Sequence, residues 1–221
     1  LFDVVGLPGA AVKESRDRVR AACRNSGLQF PKGRITVNLA PASVKKEGSV
    51  YDLPILLGLL LASGQLQFDP SDCFFAGELS LNGAVRPVKG LLAMAAAAQT
   101  AGLHTAFVPA AIAAQAAVID GLQVFPVETV PALLAHLTGK QPIQPIAPPA
   151  YSLHSAGRFP DFADVVGQQK AKQALEVAAA GGHHALLIGP PGSGKSMLAA
   201  RLPSILPDMT LPEAIQTTTL Y

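Results

Sequence analysis

A glycine- and proline-rich octet close to the last residue constrains the fold of this chain more than any other feature. Residues 189–196 read Gly-Pro-Pro-Gly-Ser-Gly-Lys-Ser, they follow the apolar run 185–188, and residues 197–202 are helix formers. The apolar run predicts a buried parallel strand and the residues after the octet predict a helix, so the glycines fall at a strand-to-helix turn. A unit of this kind belongs to a parallel α/β sheet.

The octet has the composition of a phosphate-binding loop. Its glycines permit backbone conformations that direct successive N–H groups inward, and the positive end of the following helix faces the same point. We expect the lysine to reach the β and γ phosphates of a nucleotide and Ser196 to ligate Mg²⁺ through its hydroxyl. The predicted nucleotide ligands are Gly189, Pro190, Pro191, Gly192, Ser193, Gly194, Lys195 and Ser196.

Length and composition limit the class of protein. The chain has 221 residues, a formal net charge of +2 and 49% hydrophobic residues, enough for one large or two ordinary domains. The longest apolar stretches, 53–62 and 91–98, are too short to span a bilayer and no signal sequence opens the chain, so we expect a cytoplasmic protein without a membrane partner. Cys23 and Cys73 have no metal-ligand spacing and are predicted to be core residues. The first residue is Leu1 and the last residues stop within a pattern, so we expect a piece of a longer protein.

The positive charge is concentrated in the first 50 residues. Residues 1–50 hold nine Lys and Arg against four Asp and Glu, whereas residues 51–150 hold three against six. Four of these cations recur at helical spacing and are candidate DNA contacts: Lys13, Arg16, Arg20 and Arg24. Lys32, Arg34, Lys45 and Lys46 follow and extend the same hypothesis. Phe30 and Tyr51 lie beside them and suit either base stacking or core packing, and the basic face suits either DNA or solvent.

A proline-rich connector over 139–160 divides the chain into a first domain, 1–138, and a second, 161–221. In the first domain the patterns predict an α/β fold. Predicted strands are 1–5, 35–39, 105–108 and 123–127; predicted helices are 11–25, 52–63, 91–101, 111–119 and 129–137; a hairpin is predicted over 74–88 around Asn82-Gly83. In the second domain a helix over 169–180 precedes the strand and loop. One such βα unit does not close a core of its own.

Two segments resemble known families. Asp164-Val165-Val166-Gly167-Gln168 beside the loop resembles the start of an AAA+ ATPase, which implies that Val166 and Gly167 help to enclose adenine. Residues 45–54 and 77–88 resemble the Lon-protease-like domain of the ribosomal S5 domain 2-like fold. The resemblance implies an α/β chain with an N-terminal S5 domain 2-like α+β domain followed by the truncated start of a P-loop AAA+ domain.

A Lon-like domain placed before a magnesium-chelatase-like AAA+ domain is similar to the ComM/YifB family. That similarity implies a ring-forming homo-oligomer that uses ATP and Mg²⁺ and acts on DNA, in branch migration or helicase work during natural transformation or recombination. It also implies that the remaining hydrolytic residues, namely the Walker B acid, the sensor and the arginine finger, follow Tyr221. We expect this chain alone to bind ATP weakly and to lack useful turnover.

The Lon resemblance raises the question of peptidase activity, which a Ser-Lys dyad would supply. Val50 occupies the nucleophile position and Leu92 the lysine position, and Ser49 and Lys89 would serve only if both were displaced. We therefore expect no peptidase activity. Two alternatives to the DNA motor stay open: a magnesium-chelatase I-type ATPase subunit, and a non-catalytic module that binds DNA or a partner.

Overall fold

The computed structural model describes residues 2–149 and 159–220, and the chain divides into two compact units at the junction of Pro149 and Ala150. The first unit is a mixed α/β structure that contains two parallel sheets. Among the described residues, no helix combines the length and the apolar character needed to cross a membrane.

The first sheet pairs β1 (Phe2–Val5) with β2 (Ile35–Asn38) in parallel, Phe2 opposite Ile35. The connection between them is α1 (Ala10–Asn25), whose inner face buries Val12, Val19, Ala22 and Cys23. Gly6 follows β1 at a φ of +101°, and a Cβ there would lie 2.1 Å from the carbonyl oxygen of Leu39. Only glycine permits the two strand ends to lie this close together.

The second sheet has three parallel strands in the order β3 (Cys73–Phe75), β6 (Thr105–Pro109) and β7 (Gln123–Val127). A separate antiparallel pair joins β4 (Glu78–Leu79) to β5 (Val85–Arg86). The predicted hairpin over 74–88 is therefore wrong in its extent, because Phe74 and Phe75 pair with β6 instead of β5. The turn around Leu81-Asn82-Gly83 is confirmed, but only Gly83, at a φ of +85°, occupies the left-handed region, and Asn82 does not.

The helices of the first unit close its core. They are α2 (Asp52–Ala62), α3 (Leu91–Thr100), α4 (Ala113–Ala116), which a 3₁₀ turn (Ala110–Ile112) precedes, and α5 (Val130–Leu137). Leu53, Leu56 and Leu60 of α2 are fully buried, while Gly58 in the middle of the helix is exposed. One phenylalanine from each strand of the second sheet stacks in a column, with Phe107 5.1 Å from Phe75 and 5.0 Å from Phe125 between ring centroids. Cys23 is buried and Cys73 packs against this core.

The first part of the proline-rich connector lies on the first unit. Ile143 packs against the core, and its N–H donates to His136 Nδ1 at 2.9 Å. The N–H of Ile146 donates to the carbonyl oxygen of Val124 at 2.8 Å, on the outer edge of β7. Residues 150–158 of the predicted connector lie outside the described residues.

The regular elements of the second unit within residues 159–220 are all helices or 3₁₀ turns. A 3₁₀ turn (Phe162–Asp164) leads to α6 (Gln169–Gly181), and then come α7 (Lys195–Arg201), a 3₁₀ turn (Leu202–Ser204) and α8 (Leu211–Leu220). Its core consists of Phe162, Val165, Leu175 and Leu198.

The predicted buried strand at 185–188 is wrong in this structure. The segment has no strand pairing, and Leu186 and Ile188 are 83% and 87% exposed. A parallel strand is buried only when neighbouring strands and helices cover it, and residues 159–220 contain no strand that pairs with this one.

Candidate functional site

The octet forms a turn that leads directly into a helix. Gly192 and Gly194 have φ values of +79° and +85°, and α7 begins at the next residue, Lys195. A Cβ at Gly189 would lie 3.0 Å from the Ser193 hydroxyl oxygen, so the start of the loop is also tightly packed. These glycines permit a backbone that residues with side chains would strain. Of the predicted strand-to-helix turn, the loop and the helix are therefore present, while residues 185–188 form no strand.

The amine of Lys195 is held within the loop. It donates to the carbonyl oxygens of Gly189 at 2.8 Å and Pro190 at 2.7 Å, and its Nζ lies 3.2 Å from Ser193 Oγ. All three partners are neutral, and a phosphate oxygen is a stronger acceptor for an ammonium group than a carbonyl oxygen. The loop thus fits a polyphosphate, which would replace the two carbonyl oxygens as the partner of the lysine.

Ser196 is exposed in the first turn of α7, directly after the lysine. A hydroxyl at this place fits Mg²⁺, which takes oxygen ligands and keeps several waters and phosphate oxygens in its shell. When bound, the ion would neutralise charge that develops on the phosphates.

The segment before α6 lies beside the loop. Gln168 has a φ of +57° and its side-chain amide donates to the carbonyl oxygen of Ser193 at 3.4 Å. Val165 is buried in the same core as Leu198 of α7, while Val166 is 95% exposed and Gly167 has a φ of +73°. The structure thus brings the two predicted parts of the nucleotide site together within one unit. The contact from Gln168 was not predicted, because only its place in the Asp-Val-Val-Gly-Gln segment distinguishes it from other exposed glutamines.

The residues of the hypothetical peptidase dyad are not assembled. The Ser49 hydroxyl donates to the carboxylate of Glu78, and Lys89 is exposed on the loop before α3. No hydrogen bond joins these two residues within the described part of the chain. Val50 and Leu92 are partly buried apolar residues that do not transfer protons.

The Lon-like segment instead carries a buried ionic network that sequence reasoning missed. Asp52, fully buried at the start of α2, accepts from the Ser15 hydroxyl, from Arg18 Nε at 2.6 Å and from the N–H of Leu79 at 3.1 Å. The hydrogen bond to Asp52 raises the pKa of Arg18. One carboxylate therefore joins α1, α2 and β4. The signal in the sequence is a lone aspartate at the head of a very apolar helix.

The basic residues of the first unit fall into different environments. Arg16 pairs with Asp17 at 3.1 Å, Arg34 with Asp3 at 3.8 Å and Lys45 with Glu47 at 2.5 Å. Lys46, predicted to extend the basic face, is only 4% exposed and donates to the carbonyl oxygen of Pro41, so that prediction is wrong. Lys13 and Arg24 are exposed on α1, and the Arg20 guanidinium lies 5.0 Å from the Phe30 ring centroid.

Comparison with protein families finds two matches along the chain. The family described as subunit ChlI of Mg-chelatase matches residues 1–112, and the family described as magnesium chelatase, subunit ChlI, matches residues 161–221. Fold, loop and matches together define a magnesium-chelatase-like protein.

Individual relatives show which family within the magnesium-chelatase-like proteins the chain resembles. YifB of Salmonella typhimurium is 45% identical over 215 residues, covering 97% of this chain and 42% of the relative. Competence protein ComM of Haemophilus influenzae is 42% identical over 222 residues, covering 98% and 43%. The archaeal Lon protease of Archaeoglobus fulgidus is 43% identical over 51 residues, 23% of this chain and 8% of that protein. The chain belongs to the ComM/YifB family of magnesium-chelatase-like proteins, as its sequence predicted, and spans less than half the length of these relatives.

Proposed function

We propose that this chain is the ATP-binding portion of a ring-forming AAA+ motor that acts on DNA. The observation that carries the proposal is the closed loop around Lys195, whose amine is held by neutral acceptors that a triphosphate outcompetes. Residues 189–196 bind the phosphates, Ser196 ligates Mg²⁺, and Val166 and Gly167 border the adenine. In this proposal the second unit is the opening part of a P-loop AAA+ domain, and the first unit has the S5 domain 2-like fold.

Membership of the ComM/YifB family supports DNA as the substrate, since a competence protein is among the relatives. The proposed setting is a homo-oligomeric ring in the cytoplasm, where ATP and DNA are both present. The first unit serves as a binding or ring-organising module and has no peptidase role, because Ser49 and Lys89 are not paired.

A second candidate is an ATPase that drives metal insertion into a tetrapyrrole. The observation that favours it is the ChlI description of both matching families. The same loop would serve either reaction, because the energy source is identical and only the work performed differs.

ATP turnover by the full-length parent protein distinguishes the candidates. Steady-state phosphate release is measured alone, with single-stranded or branched DNA, and with a porphyrin plus Mg²⁺. We expect DNA to raise turnover and Lys195→Ala to abolish it. Stimulation by porphyrin alone would support the chelatase, and no stimulation by either would reduce this region to a binding module.

A further inference from the structure

A basic cleft opens beside the C-terminal half of α1. Its volume is about 1070 Å³, above the range of about 300–1,000 Å³ that is usual for a small-molecule pocket. Its principal polar and aromatic side chains are those of Arg20, Arg24, Gln29, Phe30, Lys32 and Gln65. The described residues that line the cleft include three cations and no carboxylate. Such a surface favours an anionic ligand.

The floor of the basic cleft is a cation placed over an aromatic ring. Arg20 lies 5.0 Å from the centroid of Phe30, and Phe30 in turn packs at 6.1 Å against Phe2 of β1. Arg20 Nε is shielded from solvent and has no hydrogen-bond partner within the described residues. The ring therefore holds this guanidinium in place, and a held guanidinium plane is a surface on which a nucleic-acid base stacks.

The rim supplies cations that are not neutralised locally. Arg24 and Lys32 are exposed, and neither forms an ion pair within the described residues. Arg16 and Arg34, by contrast, each lie beside an aspartate. Arg24 and Lys32 are thus two cations of the cleft rim that have no carboxylate partner among the described residues and that can take phosphates.

The loop that carries Phe30 is fixed before any ligand arrives. The Gln65 side chain donates to the carbonyl oxygen of Gln29 at 2.8 Å and accepts from its N–H at 3.1 Å. Two hydrogen bonds of this kind attach the loop to the chain just after α2, so less ordering is required when a ligand binds.

The basic cleft continues into a second one along the open edge of β2. The two share Pro31, Lys32, Ile35 and Ser63, and the second has a volume of about 690 Å³ with Arg34 and Tyr51 on its walls. Cations and aromatic rings thus follow one another along a path, the arrangement found in grooves that track a single-stranded backbone.

We propose that the basic cleft binds a single strand of DNA, with phosphates at Arg24 and Lys32 and one base on the Arg20 guanidinium over Phe30. The inference rests on the proposed function that DNA is the substrate, and it places one DNA-binding surface in the first unit, outside the ATP site. A single strand is favoured over a duplex because its base faces are available for stacking.

The test measures binding of a fluorescein-labelled oligo-dT strand to the whole 221-residue chain by anisotropy over a series of salt concentrations. Arg24→Gln with Lys32→Gln should weaken binding and flatten the log–log salt slope by up to about 1.4, at about 0.7 for each phosphate that is no longer neutralised. The matched control is Arg86→Gln with Lys89→Gln, which removes the same charge from exposed positions of the first unit. Equal slopes in the cleft variant and the control would overturn the proposal.

The stacking step has its own variant. Arg20→Lys keeps the charge and removes the guanidinium plane, so it should leave the salt slope unchanged. It should also abolish the preference of the chain for oligo-dT over an abasic strand of equal length. Circular dichroism verifies that each variant is folded. A preference that survives Arg20→Lys would overturn the role given to Arg20 and Phe30.

The experiments distinguish failure of the cleft proposal from failure of the proposed DNA function. If the 221-residue chain does not bind oligo-dT at low salt, or binds it with the cleft variant unimpaired, the cleft proposal falls. DNA-stimulated ATP turnover by the parent would still stand in that case. If the parent shows no response to DNA, the proposed function falls independently of the cleft.

Discussion

The same sequence signal leads to opposite environments in the two units. Residues 105–108 (Thr-Ala-Phe-Val) and residues 185–188 (Ala-Leu-Leu-Ile) are both mostly apolar segments that the sequence predicts as strands. Phe107 in the first is 2% exposed, because β3 and β7 flank it in the sheet. Leu186 in the second is 83% exposed, and its segment has no strand partner within residues 159–220. An apolar run thus has a tendency to be buried, and the presence or absence of neighbouring strands determines whether it is buried in the fold.

The octet 189–196 behaves differently from the apolar segment 185–188 that precedes it. Its shape depends on glycine conformations and on hydrogen bonds from Lys195 to residues at most six positions away, with one further contact from Gln168, so it forms without the sheet. The second unit therefore presents a formed loop beside an apolar segment that is exposed and forms no strand. Local interactions specify the loop, whereas long-range interactions would be needed to form and cover a strand at 185–188.

The largest expected effect compares a buried leucine with an exposed one. Leu56→Ala removes a side chain that is fully buried in α2 and should destabilise the first unit by about 2–5 kcal/mol. Leu186→Ala should change stability by less than about 0.5 kcal/mol, because its side chain is already in water. Urea titration followed by hydrogen-exchange mass spectrometry reports each unit separately. A large loss from Leu186→Ala would show that the segment is covered in solution.

The buried carboxylate tests how the first unit is held together. Asp52→Asn keeps the shape but removes the charge that faces Arg18, and should cost about 2 kcal/mol in the free energy of unfolding. The matched control is Asp120→Asn at an exposed position, which should be near neutral. Thermal unfolding by calorimetry gives both values. Equal midpoints for the two variants would show that the charge of Asp52 does not stabilise the fold.

ATP with Mg²⁺ should stabilise the second unit and leave the stability of the first unit unchanged. A ligand at about ten times its dissociation constant stabilises its site by about 1.4 kcal/mol. We expect slower hydrogen exchange in peptides covering 189–198 and no change in the first unit. Lys195→Ala, which removes the amine from the loop, should abolish this protection. Protection that persists in the variant would place the nucleotide elsewhere.

The smallest expected effect concerns the contact between the connector and the first unit. Burial lowers the pKa of His136, and its Nδ1 accepts from the N–H of Ile143, which only the neutral ring does. A lowered folded pKa means that stability falls as the pH drops through the unfolded value of about 6.5. Urea midpoints of wild type and His136→Gln at about pH 7.5 and pH 5.5 should therefore differ in their pH dependence. Identical dependence would show that protonation is not coupled to folding here.

Most elements of the first unit could be predicted, because strong periodicity and turn residues coincide in sequence. The strand at 123–127 and the helix at 11–25 were placed within a residue or two. The buried network of Asp52, the buried amine of Lys46 and the pairing of Phe74 with β6 could not be predicted. Each depends on residues far apart in sequence, about which local pattern carries no information. The loop of the candidate site could be predicted because its residues, 189–196, are adjacent in the sequence.

Gly58 is a position at which α2 is less stable than it could be. It lies exposed in the middle of α2, and an added methyl group would meet no atom within 4 Å. Alanine there would strengthen the helix by about 0.5–1 kcal/mol. That methyl would project into the cleft along β2, of which Gly58 forms part of the wall. A screen for heat resistance would therefore select alanine at this position, at the expense of open space in that cleft.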